Sequence, residues 1–417
     1  MTEAAGTHAP KALAGVRVLD LTHVQSGPSA TQLLAWLGAD VIKLETPGRG
    51  DVARSQLRDR PGVDSLYFAM LNCNKRSITL NLKARQGKRM FRRLVATADV
   101  LVENRDPGVL DRLGFPWPVL RRLNPRLVYA SIRGFGPGPH AELKGYELFA
   151  QAMGGAMATT GFPDGPPTAS GAQIGDAGAG VHLVAAVLAA LYQRTVTRRG
   201  QRVQVTMQEA VLNLCRVKLR DQQRLANGPL VEYPSRPSGP EVPRAGNASG
   251  GGQPGWALRC APGGPNDYVY VIVQPQGWKA LTRLIGRPEL ADDAGWAGQE
   301  ARRAKLDKMF ALVEEWTERR EKWRVLDILT EHGIPCAPVM STRELLDDPT
   351  LAALGAIVEV EHPERGGFRT VGSPLRLSDS PVEVGRPPLL GEHNAEVYAE
   401  LGYGARQLAG LRASGVI

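Results

Sequence analysis

Val16-Arg-Val-Leu-Asp-Leu21, then the small-residue loop 22–29, the helical pattern of 30–38 and the run 40–44 ending at Glu45, is the stretch that decides the fold. Branched apolar residues in a short run read as a buried strand. The periodicity then lengthens to that of a helix and returns to a strand, which is a βαβ unit of the usual length. The alternation continues outward. A helix near 87–96 feeds a strand at 100–103, and a basic helix at 118–123 leads to a strand at 127–132. Such repetition predicts a mostly parallel α/β sheet covered by helices on both faces. A long Ala- and Leu-rich stretch at 178–198 reads as a buried helix, closed by Arg199-Gly200 and followed by a strand at 201–207.

Beyond it a second helical stretch, 208–225, leads into residues 227–255, dense in Pro, Gly and Ser, which break both periodicities. The expected organisation is a large domain over 1–205, a linker helix and glycine-rich loop over 206–255, a small α+β domain over 256–332, and a return over 333–417. The small domain is expected to hold strands at 256–260 and 268–273 and helices near 277–285, 301–318 and 322–332.

The chain has 417 residues, 43% hydrophobic and 22% charged, an ordinary globular composition. Its longest apolar run, around 181–192, is shorter than the ~20 residues of a membrane span, and residues 1–11 show no secretory pattern. Cys73, Cys215, Cys260 and Cys336 form no C-x-x-C pair, so no zinc site or disulfide framework is expected, and a reduced cytoplasmic setting fits. The seven histidines form no H-x-x-x-H pair, so no metal site is assigned. Fifty-one basic against 42 acidic side chains give +9, which favours an anionic partner without naming it. The basic clusters 88–93, 121–126 and 302–308 lack the interleaved aromatics of a single-strand nucleic-acid channel and read as solvated helix faces.

The first turn, Gln25-Ser26-Gly27-Pro28-Ser29-Ala30, has one glycine where a dinucleotide site needs G-x-G-x-x-G, so Glu45 is a weak candidate for a ribose ligand. There is no G-x-S-x-G elbow and no phosphate-binding G-x-x-x-x-G-K-[ST] loop. Asp176, alone among small residues just before the long helix, has two readings. It is a helix N-cap whose carboxylate accepts a backbone N–H, or a carboxylate that the helix dipole holds ionised, with room for a nucleophilic attack on an activated acyl group. The tract from Gly246 to Gly255 is likewise either a linker or a mobile lid whose N–H groups bind an anion. Spacing leaves both pairs open.

Longer stretches carry a resemblance. Val18-Leu-Asp-Leu-Thr-His-Val-Gln25-Ser-Gly-Pro28, Val63-Asp-Ser-Leu-Tyr67-Phe, Asn72-Cys-Asn-Lys-Arg-Ser77, Lys218-Leu-Arg-Asp-Gln-Gln-Arg224, Gly333-Ile-Pro-Cys-Ala-Pro338 and Leu390-Gly-Glu-His393 resemble the family III CoA-transferases. Several match the branch that uses formyl-CoA and oxalate. The resemblance implies a Rossmann-like large domain built from both chain ends, a smaller domain between them, and an interlocked, ring-shaped homodimer. It implies that Asp176 is the catalytic residue, forming aspartyl anhydride and aspartyl-CoA intermediates, with CoA thioesters as substrates and no further cofactor. Gln25, Ser26, Thr46, Leu80, Asn81, Leu82, Lys83, Asn104, Arg105, Asp106, Arg112, Lys144, Gly145, Tyr146 and Glu147 match CoA-binding positions. Tyr67, Gly251, Gly252 and Gln253 match positions near the acyl groups. The chain departs from the pattern at Thr46 (an arginine in relatives), Arg105, Ser249 and Gln56, and Arg49 or Arg54 are candidate replacements for the missing cation at 46. Acetyl- or succinyl-CoA, or another carboxylate acceptor, would fit the same mechanism. The α-methylacyl-CoA racemases share the family fold, but Tyr146 stands in place of their histidine base, and a tyrosine is a poor base at neutral pH.

Overall fold

A computed structural model describes residues 10–233, 239–248 and 253–417. The chain divides into two compact units, one of Met1–Gly154, Gly171–Asn213 and Pro349–Ile417, the other of Gly155–Ser170 and Leu214–Asp348. The second unit therefore takes in 155–170, which the sequence reading put in the large domain, and runs on to 348 rather than ending at 332.

The first unit is built on six parallel strands: β1 (Arg17–Asp20), β2 (Asp40–Glu45), β3 (Arg76–Thr79), β4 (Val100–Glu103), β5 (Val128–Arg133) and β6 (Arg202–Thr206). Their spatial order is β3-β2-β1-β4-β5-β6. The chain winds outward one way through β1–β3 and the other way through β4–β6, so the connections after β1 and β4 diverge and leave a crevice at the strands' C-terminal ends. A core of Leu19, Ile42, Ile78, Phe91, Leu101, Tyr129 and their neighbours fills one face, closed by Val397, Tyr398 and Leu408 from the chain's other end.

On the opposite face the helices Ser26–Trp36 and Asp176–Thr197 pack against each other and against the sheet. A Cβ at Gly180 would come 3.0 Å from Ser29 Cβ and 3.1 Å from the Ser26 carbonyl oxygen, so the glycine lets the two backbones meet. By length and composition Asp176–Thr197 could also cross a bilayer. Here Ala179, Leu183, Val187 and Ala190 bury one side of it. Its other side carries exposed Val181, Ala185, Ala189, Tyr192 and Val196.

In the second unit, antiparallel β7 (Gly255–Arg259), β8 (Tyr268–Ile272) and β9 (Cys336–Pro338) form a sheet. Against it pack Trp278, Leu281, Met309, Phe310, Val313, Val325 and Leu329 from its helices. The stretch expected as one helix over 208–225 is two, Met207–Leu214 and Arg216–Arg224, broken at Cys215.

Candidate active site

Because β1 and β4 are neighbours whose chains depart in opposite directions, the loops 22–26 and 104–107 face each other across the crevice. Between them lies a cavity of about 320 Å³ lined by Gln25, Ser26, Asn104, Arg105, Asp106, Lys144, Gly145, Tyr146, Glu147 and Asp176, and also by His23, Val24 and Met207. Ten of the residues assigned by resemblance thus meet at one point.

Asp176 is the first residue of the helix Asp176–Thr197, whose N-cap is Gly175 with no side-chain cap bond. The capping acceptor is Glu147, which starts the helix Glu147–Met153. Its carboxylate takes the Gly175 N–H (3.0 Å), the Asp176 N–H (2.5 Å) and the Gln151 side-chain amide (2.7 Å). Glu147 therefore does what the N-cap reading asked of Asp176, and the Asp176 side chain is left to the cavity. Asp176 is partly buried. That burial, and then the negative charge of Glu147, push its carboxyl up to about 7, while a hydrogen bond from the Ser26 hydroxyl pulls the other way. Against the expectation of a carboxylate held ionised, desolvation and a like charge here outweigh the hydroxyl's hydrogen bond. A raised carboxylate beside a crevice is a stronger nucleophile than an ordinary one and is still half ionised at neutral pH.

Opposite Asp176 is the 22–26 turn. Asn104 holds it from three sides, accepting the His23 N–H (2.9 Å) and donating to the His23 carbonyl (2.9 Å) and to Ser26 Oγ (3.0 Å). Val24 sits at φ +63°, the left-handed region, which costs a β-branched residue ~1–3 kcal/mol. The Gln25 side-chain oxygen accepts from the Tyr67 hydroxyl at 2.9 Å. Burial, reinforced by Asp176, Asp51 and Glu147, pushes that hydroxyl up to about 12, so it remains a donor at any working pH.

A second cavity of about 550 Å³ is lined by Thr46, Leu80, Asn81, Leu82, Lys83, Arg105 and Arg112, so Arg105 borders both. Lys83 and Arg112 are exposed there. Lys144 pairs with Asp106 at 2.9 Å on the rim of the first. Arg54 is no substitute for a missing cation at 46, because it is buried and committed to Glu45 (2.7 Å) and Asp64. Arg49 instead lies exposed on a further cavity wall that includes Thr46 and Arg105. Glu45 is no ribose ligand, since its buried carboxylate is taken by Arg54, Ser77 and the Asp51 N–H. His140 is exposed and does not line the Asp176 cavity.

Gly251 and Gly252 lie outside the described residues. Gln253 belongs to the second unit, where its side-chain oxygen accepts from Gln274 at 3.1 Å. Among the described residues no group of three His, Cys, Asp or Glu side chains could hold a metal ion. Sequence reasoning missed Val24 and His23 in the first cavity, and Asp51 and Lys43 beneath the turn. Only the ordered backbone of 22–26 makes their place visible.

A sequence model described as CoA-transferase family III matches residues 13–394. Two relatives, from Streptomyces avermitilis and Streptomyces coelicolor, are each 67% identical over 408 residues and are named formyl-CoA:oxalate CoA-transferase. Each alignment covers 98% of this chain, with 100% of the first relative and 99% of the second. A solved CAIB/BAIF family protein from Brucella suis is similar in structure, with a TM-score of 0.81 and 32% identity, covering 95% of this chain and all of that one. The chain belongs to CoA-transferase family III.

Proposed function

We propose that the chain moves CoA from formyl-CoA to oxalate, giving oxalyl-CoA and formate through covalent intermediates on Asp176. The Asp176 carboxylate attacks the formyl carbonyl and releases CoA thiolate, leaving a mixed aspartyl–formyl anhydride. The thiolate attacks the aspartyl carbonyl, expels formate and leaves an aspartyl–CoA thioester. An oxalate oxygen attacks that thioester and expels the thiolate. Attack of the thiolate on the oxalyl carbonyl then frees oxalyl-CoA and restores the carboxylate. No net proton is consumed and each acyl bond is exchanged for another of similar energy, so the reading requires no metal or further cofactor.

One observation carries the reading: a carboxylate at a cavity on the switch point, relieved of capping duty and raised towards neutrality. In support, Gln25, whose side-chain oxygen is held by the Tyr67 hydroxyl, and Ser26 line the cavity beside Asp176, where an acyl oxygen gains negative charge in each attack. The cavity at Lys83 and Arg112 offers cations for a nucleotide end. The names of the two Streptomyces relatives support formyl-CoA as donor and oxalate as acceptor. The test is to mix the protein with formyl-CoA and a panel of carboxylates and identify each new CoA thioester by mass. Oxalyl-CoA should dominate, and its absence while another acyl-CoA exchanges would overturn the named substrates. We also propose that two copies associate through the exposed apolar stripe Val181–Ala185–Ala189–Tyr192–Val196. Tyr192→Arg should lower the mass seen by sedimentation, and a wild-type chain that sediments as a monomer would remove the proposal.

A further inference from the structure

The backbone of the 22–26 turn is tied at Thr22, His23 and Val24, and the tie at Val24 comes from a buried ion pair that no step of the reaction uses. The Asp51 carboxylate accepts the Val24 N–H at 3.1 Å and the Ala53 N–H at 3.0 Å. It also lies 2.9 Å from Lys43 Nζ, with both side chains almost wholly buried. Lys43 in turn donates to the Thr22 carbonyl at 3.0 Å. Asp51 and Lys43 thus grip the turn on either side of His23, one by an N–H and one by a C=O. Next to them Asp20 takes the Thr22 N–H (2.9 Å) and a bond from the Thr31 hydroxyl (2.6 Å), with Lys75 paired to it at 3.1 Å.

A buried ion pair is seldom the most stable filling for a core, and hydrophobic replacements of equal volume are often neutral or better. Its place here coincides with a strained backbone position. Val24 at φ +63° would relax to an extended conformation if its N–H were released. That relaxation would swing Gln25, the next residue, away from Tyr67 and from the cavity that Asp176 lines.

We propose that Asp51, backed by Lys43, is a positioning residue that clamps the strained Val24–Gln25 turn in the conformation turnover requires. This deepens the transferase reading and rests on it for the role of Gln25. A displacement of about 1 Å at a reacting centre costs on the order of 10²-fold in rate. Asp51→Ala should therefore lower kcat about 10²-fold while KM for formyl-CoA changes several-fold less. Asp51→Asn keeps an acceptor oxygen for the Val24 N–H but turns its NH2 towards the Lys43 ammonium, which loses its buried partner. Its kcat should fall between the wild type and the alanine variant, and a loss as deep as the alanine variant's would overturn the role of the Val24 N–H bond.

The decisive readout is a double-mutant cycle with Val24→Gly, since glycine adopts positive φ without the steric penalty. In that background Asp51→Ala should cost about tenfold or less, whereas a merely structural role predicts the same loss in both backgrounds. Hydrogen exchange gives a readout independent of activity. Asp51→Ala should speed exchange in the peptide covering 22–26 at least tenfold and leave β4 and β5 protected, and unchanged exchange would overturn the clamp. A wild-type protein that fails to make oxalyl-CoA would refute the functional reading, and the exchange result would still decide the clamp.

Discussion

Replacing Glu147 by glutamine removes the negative charge beside Asp176 and keeps one of the two acceptor oxygens at the helix start. Glu147 Oε1 takes the Gly175 N–H and Oε2 the Asp176 N–H, so one of those bonds is lost along with the charge. Glu147 Oε2 lies 2.5 Å from the Asp176 amide nitrogen. From that contact the two carboxyl groups are roughly 5 Å apart, and at an effective dielectric of ~20 their repulsion is about 332/(20 × 5), or about 3 kcal/mol. At ~1.4 kcal/mol per unit that is about two pH units as an upper bound, and water in the open cavity reduces it to about one. Asp176 acts ionised, so kcat/KM for formyl-CoA should rise with pH through the carboxyl's value of about 7 and level off above it. In Glu147→Gln that rise should move about one pH unit lower, with plateaus within about tenfold of each other. The assay is oxalyl-CoA formation under limiting formyl-CoA across pH 5 to 9. A limb that stays in place, or moves higher, would refute the claim that Glu147 raises Asp176.

Asp176→Asn should cut transfer at least ~10³-fold with CoA affinity unchanged within a few-fold, as read by calorimetry. The same variant should be more stable at alkaline pH. The folded carboxyl binds its proton up to about 7, whereas the unfolded chain releases it near ~3.9, so the group costs stability as pH rises through that window. For a partly exposed side chain the gain at pH 8 should be about 1–3 kcal/mol in a denaturant titration, and destabilisation would contradict the raised carboxyl. Tyr67→Phe removes the donor to Gln25 and should lower kcat about three- to tenfold with little change in KM, whereas an unchanged kcat would remove Tyr67 from the site. Gly180→Ala places a Cβ 3.0–3.2 Å from Ser29, Ser26 and Ala30, so thermal melting should show a loss of about 1–3 kcal/mol.

The fold was readable where a strand and its helix both carry long apolar runs, as in β1, β2 and the helix Asp176–Thr197. It was not readable at β3, whose Arg76-Ser-Ile-Thr79 has a single large apolar residue and is defined by pairing with β2. The helix Ser26–Trp36 begins four residues before its apolar pattern does, because Ser26, Gly27 and Pro28 are buried against neighbours rather than marked by periodicity. The break at Cys215 leaves no proline or glycine to announce it. At the site the limit is the same. Asp176 as cap and Asp176 as nucleophile share one local sequence, and the choice between them rests on Glu147, 29 residues earlier in the chain. The resemblance pointed to Asp176, and the geometry supplies the physical reason that its carboxylate is free. Lys43 and Asp51 carry no local signal, since one lies in a strand and the other in a loop, and only the fold sets them under Val24.

The most direct test of the covalent reading is intact-mass measurement of the protein after incubation with formyl-CoA and no oxalate, followed by peptide mapping. The account predicts a gain equal to CoA less one water, carried by Asp176, lost on adding oxalate and lost with hydroxylamine. A protein that makes oxalyl-CoA at full rate yet never carries that mass, or carries it on another residue, would contradict it.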